Sequence, residues 1–146
     1  MTQTTHFETA LYNLTGMVFE AVQIKELHEA YKRDQIERAA QSIPDMSKVR
    51  QIKTYISETH KIEISVMESK WRKREAVFAR QLAMVLIDGY TRLSLKQIGR
   101  EFGGRDHSTV IHSKQTIRDL CQTDKQIKKL YNHHLAWCNE QFGRAV

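Results

Sequence analysis

The side chains with the most chemistry to offer stand together at residues 103–110, in the stretch GGRDHSTV. Two glycines run into a guanidinium, a carboxylate, an imidazole and two hydroxyls, and a helical-looking segment follows. A sharp reversal between packed helices asks for positive φ, which glycine adopts at little cost. The first turn of a helix carries backbone N–H groups without intrahelical partners and the positive end of the helix dipole, so it attracts phosphate. Arg105 adds a fixed charge there. The Asp106 carboxylate can accept from the amino group of cytosine in a major groove, and His107 can donate to a base acceptor. Ser108 and Thr109 offer hydroxyls and a methyl group to thymine or phosphate. Asp106 is equally suited to capping the helix itself.

The preceding SLKQIGREF, residues 94–102, supplies the element that aims this cluster. Ser94 and Gln97 have capping-box spacing, and Leu95, Ile98, Gly99 and Phe102 follow the period of a short packed helix. A short helix, a turn at Gly103–Gly104 and a helix beginning near Asp106 have the spacing of a helix-turn-helix. Along the second helix Val110, Ile117 and Cys121 share one side, with Leu120 at its flank, facing Ile98 and Phe102. Ser108, His112 and Gln115 point the other way, and His107 and Ile111 lie between. That outward side reads as uncharged and rich in hydrogen-bonding groups, with basic residues beside it.

Residues 5–22 read as an amphipathic helix with Thr5 and Glu8 at capping-box spacing and Phe7, Leu11, Leu14, Val18 and Ala21 in a stripe. Residues 23–43 continue helically but out of register, and SIPD at 42–45 is the expected boundary between an N-terminal extension, 1–45, and a second domain, 46–146. Beyond it, Ser47 is placed to cap a helix carrying Val49, Ile52 and Ile56. Ser65 and Glu68 have capping-box spacing on a short turn. KWRKRE, residues 70–75, is a basic segment with one aromatic. Ala76 to Asp88 is apolar almost all round, as a central buried helix would be, with Gly89 placed to end it. A last helix starts near Asp124 and carries Ile127, Tyr131, Leu135, Cys138 and Phe142 along one side.

With 6 Gly and a single Pro in 146 residues, little interrupts helices, and the expected class is all-α. Residues 1–45 hold 4 Lys/Arg against 7 Asp/Glu, whereas residues 46–146 hold 19 against 10, so the net +6 belongs to the second domain. A basic domain favours polyanions, with nucleic acid first. The longest apolar run, Leu82 to Ile87, is too short to cross a bilayer, and no signal peptide is evident. Two cysteines make no disulfide framework, so a cytoplasmic setting is expected.

ARQLAMVLIDGYTRLSLKQIGREFGGRDHSTVIHSKQTIRDL, residues 79–120, resembles the C-terminal DNA-binding domain of the DnaA family of bacterial replication initiators. The similarity is extended by MSKVRQIKTYISETHKIEISVMESKWRKRE before it and covers roughly residues 46–142. The resemblance implies a Trp-repressor-like helix-turn-helix bundle that binds double-stranded DNA at a short box. It places Arg105, Asp106, His107, Ser108 and Thr109 on the base-reading turn. Arg72 falls in the family's basic loop, whose arginine enters the adjacent minor groove, where A·T-rich DNA attracts it. Lys70, Lys73, Arg74, Gln81, His112, Lys114 and Gln115 become phosphate or supporting contacts. Three departures bear on box preference: Ser108–Thr109 stands where the family has two threonines, FARQ replaces RPRQ, and Trp71 interrupts the basic loop. No GxxxxGK[ST] stretch occurs, so neither the family's ATPase module nor a bound nucleotide is expected.

Other readings are weaker. His60, His107, His112, His133 and His134 supply imidazoles, but no HExxH or nucleophile–base arrangement appears, so no enzyme is expected. Cys121, His134 and Cys138 fall short of four closed zinc ligands, and no metal or cofactor is expected. Residues 5–43 either cover the core or pair two copies of the chain, and their acidic balance argues against a membrane surface. A transcription regulator would need the same binding chemistry, and a protein-interaction module with only non-specific DNA affinity is the remaining alternative.

Overall fold

Each helix of the C-terminal two-thirds buries one apolar stripe against a single central helix. A computed structural model describes residues 21–144, without the side chains of residue 21 and of residues 38–43. Its helices are α1 (Ala21–His60), α2 (Ile64–Met67), α3 (Arg74–Tyr90), α4 (Leu95–Arg100), α5 (His107–Thr123) and α6 (Lys125–Phe142). Every regular element among the described residues is helical, and the expected all-α class holds. None is long and apolar enough to cross a membrane. The Thr5–Glu8 cap and most of the stripe at 5–22 lie outside the described residues.

The chain separates into two compact units, residues 1–43 and 44–146. In the first, Ile24 is buried while Val22, Leu27, Tyr31 and Ile36 are exposed. Helical backbone does not stop at the proline. It runs on with Pro44 inside α1, so Ser47 lies within a helix instead of capping one, and its hydroxyl takes a hydrogen bond from Gln51 at 3.2 Å. In the second unit, side chains of the α1 residues hold the loop after α3. Lys48 Nζ donates to the Tyr90 carbonyl at 3.2 Å, and Asp45 accepts from the Arg92 N–H at 3.4 Å.

Helix α3 is the hub, burying Ala79, Leu82, Ala83, Met84, Leu86, Ile87 and Tyr90. Ile52 and Ile56 of α1, Met67, Ile98, Phe102, Val110, Ile117 and Cys138 complete the core around it. Gly89 does not end α3. It sits inside the last turn with ordinary backbone, and the helix closes at Thr91, whose N–H donates to the Ile87 carbonyl. The Ser65–Glu68 box does not form either, because Glu68 turns to the Lys53 ammonium at 2.8 Å. The Ser94–Gln97 capping box does form, with both reciprocal hydrogen bonds present.

Helix α6 is tied to α1 by an imidazole pair. His134, 0% exposed, is hydrogen-bonded through Nδ1 to Tyr55 Oη and through Nε2 to His60 Nε2, both at 2.9 Å. Two facing ring nitrogens share one proton, so the contact needs at least one neutral ring. Burial, helped by His60 and His133, pushes the His134 pKa down to about 4.

Two predictions follow from this packing. Gly103 (φ 80°) and Gly104 (φ 71°) both have positive φ, but only at Gly103 would a methyl group strike backbone, the Glu68 carbonyl. Gly104→Ala should cost about 1–2 kcal/mol in denaturant unfolding from its backbone conformation alone, and Gly103→Ala clearly more; equal losses would show that the turn yields. Because the folded-state pKa of His134 is depressed, its stabilising contribution is complete above the unfolded value near 6.5 and drains away as pH falls toward about 4. The melting temperature should drop across that window, and His134→Gln, which takes up no proton, should flatten the slope. An unchanged slope would contradict the assignment.

Candidate nucleic-acid interface

The turn between α4 and α5 is built around close backbone approach. Arg105 N–H donates to the Gly99 carbonyl at 2.8 Å, and a methyl group on Gly99 would collide with the Arg105 carbonyl. Gly99 is therefore required for proximity and the following glycine pair for direction. Phe102 plugs the turn into the core with 0% exposure. Asp106 then enters α5 with extended backbone, φ −69° and ψ 152°.

At the tip of α5, Asp106, His107 and Ser108 are exposed and Thr109 is half-buried. Asp106 holds the N-cap position, yet its side chain makes no capping hydrogen bond. Its carboxylate instead takes the His107 Nδ1 at 2.7 Å and the Ser108 hydroxyl at 3.0 Å. The Ser108 bond first, with His107 adding, lowers the Asp106 pKa below the usual carboxylate value. The pairing also sets the imidazole: with Nδ1–H toward Asp106, Nε2 accepts in the neutral ring and donates in the imidazolium. Further along, His112 lies 3.4 Å from the Thr116 hydroxyl, and Ile111 is 50% exposed. The outward side is not uncharged, since exposed Asp119 accepts from Gln115 at 2.7 Å and Arg118 donates to the same glutamine at 3.2 Å.

The basic loop, residues 68–73, is organised from below. Arg80 is 4% exposed although it sits in the apolar run of α3. Its Nε donates to the Met67 carbonyl at 2.6 Å. Its Nη2 reaches the carbonyls of Ser69 at 2.9 Å, Trp71 at 3.0 Å and Val66 at 3.3 Å. Burial and then the charge of Arg105 lower its pKa from the ordinary guanidinium value. With the carbonyls turned inward, Lys70, Trp71, Arg72, Lys73 and Arg74 are exposed. The Lys73 ammonium lies 5.1 Å from the centre of the Trp71 ring, a cation–π distance. Arg72 shares a cleft of about 690 Å³ with Arg74, Phe78 and half-buried Gln81.

The family described as bacterial dnaA protein helix-turn-helix matches residues 49–117, the span that holds both the basic loop and the turn. The chain carries a bacterial DnaA helix-turn-helix. It is 37% identical over 105 residues to the chromosomal replication initiator protein DnaA of Flavobacterium psychrophilum, covering 72% of this chain and 22% of that protein. To the protein of the same name from Mycoplasma capricolum it is 42% identical over 81 residues, covering 56% of this chain and 18% of the other. The chain thus spans about a fifth of the length of these relatives. A crystal structure of a DNA replication initiation factor superposes with a TM-score of 0.67 at 21% identity, over 84% of this chain and 38% of that one, which supports the all-α helix-turn-helix fold.

Within this DnaA helix-turn-helix, the residues expected at the interface fall into two groups, exposed apart from half-buried Thr109, Gln81 and Arg105, and Lys114 on the flank. Asp106, the N-cap of α5, goes with His107, Ser108, Thr109, His112 and Gln115 of that helix, and Lys70, Arg72, Lys73, Arg74 and Gln81 belong to the loop and the first half of α3. Two of the expected residues, Arg105 and Lys114, have partners within the protein. Arg105 does not project with the tip: half-buried, it donates from Nη2 to the Ser69 carbonyl at 2.9 Å. Lys114 pairs with Asp88 at 2.7 Å, on the flank of α5 facing α3. Among the described residues Arg105 Nε is buried without a hydrogen-bond partner, a state that costs about 1–3 kcal/mol. Sequence reasoning missed Arg80, Ser69 and Lys53 as supports of the interface. The available signal was an arginine inside the largely apolar run from Ala76 to Ile87.

Replacing Arg80 by methionine would strand the Met67 and Trp71 carbonyls and leave those of Val66 and Ser69 with one donor fewer. Arg80→Met should cost about 3 kcal/mol or more of stability and should expose the loop at Lys70, Arg72, Lys73 and Arg74 to faster tryptic cleavage. Unchanged cleavage would show that the loop does not depend on this guanidinium.

Proposed function

We propose that this chain binds double-stranded DNA sequence-specifically at short boxes of the DnaA type and acts in the control of replication initiation. The tip of α5 enters the major groove, and Arg72 enters the adjacent minor groove. The observation that carries this reading is the pairing of two exposed polar segments, residues 70–74 and 106–109, on one buried support. Asp106, His107 and Ser108–Thr109 read base edges, while Lys70, Lys73, Arg74, Gln81, His112 and Gln115 hold or support phosphates. Arg105 serves this surface from behind, through Ser69. The names of the relatives, chromosomal replication initiators, favour replication over transcription. The reading includes a cytoplasmic setting and the pairing of two copies through residues 5–43, supported by exposed Leu27, Tyr31 and Ile36.

The test is selection of bound duplexes from a random pool at stated salt, because phosphate contacts make affinity steeply salt-dependent. An enriched box supports the proposal, and a two-fold symmetric one supports pairing; recovery of random sequence refutes it. On the enriched box His107→Ala should cost about 1–3 kcal/mol and on random duplex little. Arg72→Ala should weaken binding most where the flank is A·T-rich. Equal losses on both duplexes would remove His107 from base reading.

A further inference from the structure

The two exposed segments are joined behind the surface by backbone. Ser69 offers one carbonyl to two guanidiniums: Arg80 Nη2 reaches it from α3 and Arg105 Nη2 from the turn, each at 2.9 Å. One residue earlier, the Glu68 carbonyl lies so close to Gly103 that no methyl group fits between them. Nearly buried Lys53 closes the same junction, donating to Glu68 Oε1 at 2.8 Å and to the Glu101 backbone carbonyl, with the Glu101 carboxylate at 3.4 Å. Residues 68–69 and 101–105 thus meet at three points. Arg72 stands three residues beyond one side of the junction, and Asp106 directly follows the other.

We propose that the Ser69 carbonyl joint couples the minor-groove and major-groove contacts energetically, with Arg105 as the positioning residue that closes it. This rests on the DNA-binding reading above. Residues bound into one hydrogen-bond network depart from additivity, whereas independent contacts do not. With Arg105 in place the loop and the α5 tip dock as one body, so loss of either contact already weakens the other. Without it, each segment meets its groove separately.

The test is a double-variant cycle on the selected duplex: wild type, Arg72→Ala, His107→Ala and the pair, repeated in an Arg105→Gln background. Both probe residues are exposed, so the wild-type cycle is readable even if Arg105→Gln fails to fold, which a melting curve reports. In the wild-type background the pair should lose at least about threefold less affinity than the product of the single losses. In the Arg105→Gln background the losses should multiply. Multiplying losses in the wild-type background overturn the proposal. So does coupling that survives Arg105→Gln while the salt slope falls by about one, the signature of a direct phosphate contact. Failure of the wild-type protein to select any duplex would refute the DNA reading itself and the coupling with it.

Discussion

A guanidinium buried in an apolar helix is costly unless its donors are matched. Arg80 meets that condition by gathering the carbonyls of Val66, Met67, Ser69 and Trp71 beneath it. The loop cannot rotate its carbonyls outward without breaking several charge-assisted hydrogen bonds at once. Its side chains must therefore face solvent, which places four cations and an indole on a short arc of surface. An unsupported loop of the same composition would splay under its own charge. The exposure of the loop thus begins with a buried interaction beneath it.

The cations of this unit divide by what faces them. Lys53 lies between Glu68 and Glu101, Lys114 meets Asp88, and Arg105 turns to a carbonyl. These hold elements together. Lys70, Arg72, Lys73 and Arg74 are exposed along one loop, so the field that phosphate would meet is concentrated there. The tip of α5 adds direction more than charge. Asp106 gathers His107 and Ser108 into a hydrogen-bonded cluster that presents a fixed set of donors and acceptors. A helix tip arranged this way suits the edges of base pairs better than a diffuse cationic patch would.

What the sequence disclosed and what it concealed divide along physical lines. The turn was legible because positive φ at Gly103 and Gly104, and the Ser94–Gln97 box, are local requirements written in residue type. The buried stripe of α3 was legible from its apolar run. The end of α3 was misread because Gly89 alone does not stop a helix when the chain can close at Thr91. Ser47 and Ser65 were misread as caps for a related reason. Pro44 does not interrupt the helical backbone, and Glu68 is drawn away by Lys53, a residue 15 positions distant. Arg105 was placed with the readers because nothing local shows its side chain folding back onto Ser69. Long-range polar ties leave no periodic trace, and the supports of the interface are made of them.

On the proposed reading, residues 70–74 and 106–112 meet one duplex together on a single pre-built surface. Titrating the selected duplex into isotopically labelled protein and following amide resonances tests it most directly. Both segments should shift on the same binding curve, while amides of α6 near His133 and Asn139 stay still. Shifts confined to one segment, or two segments titrating at different concentrations, would contradict it.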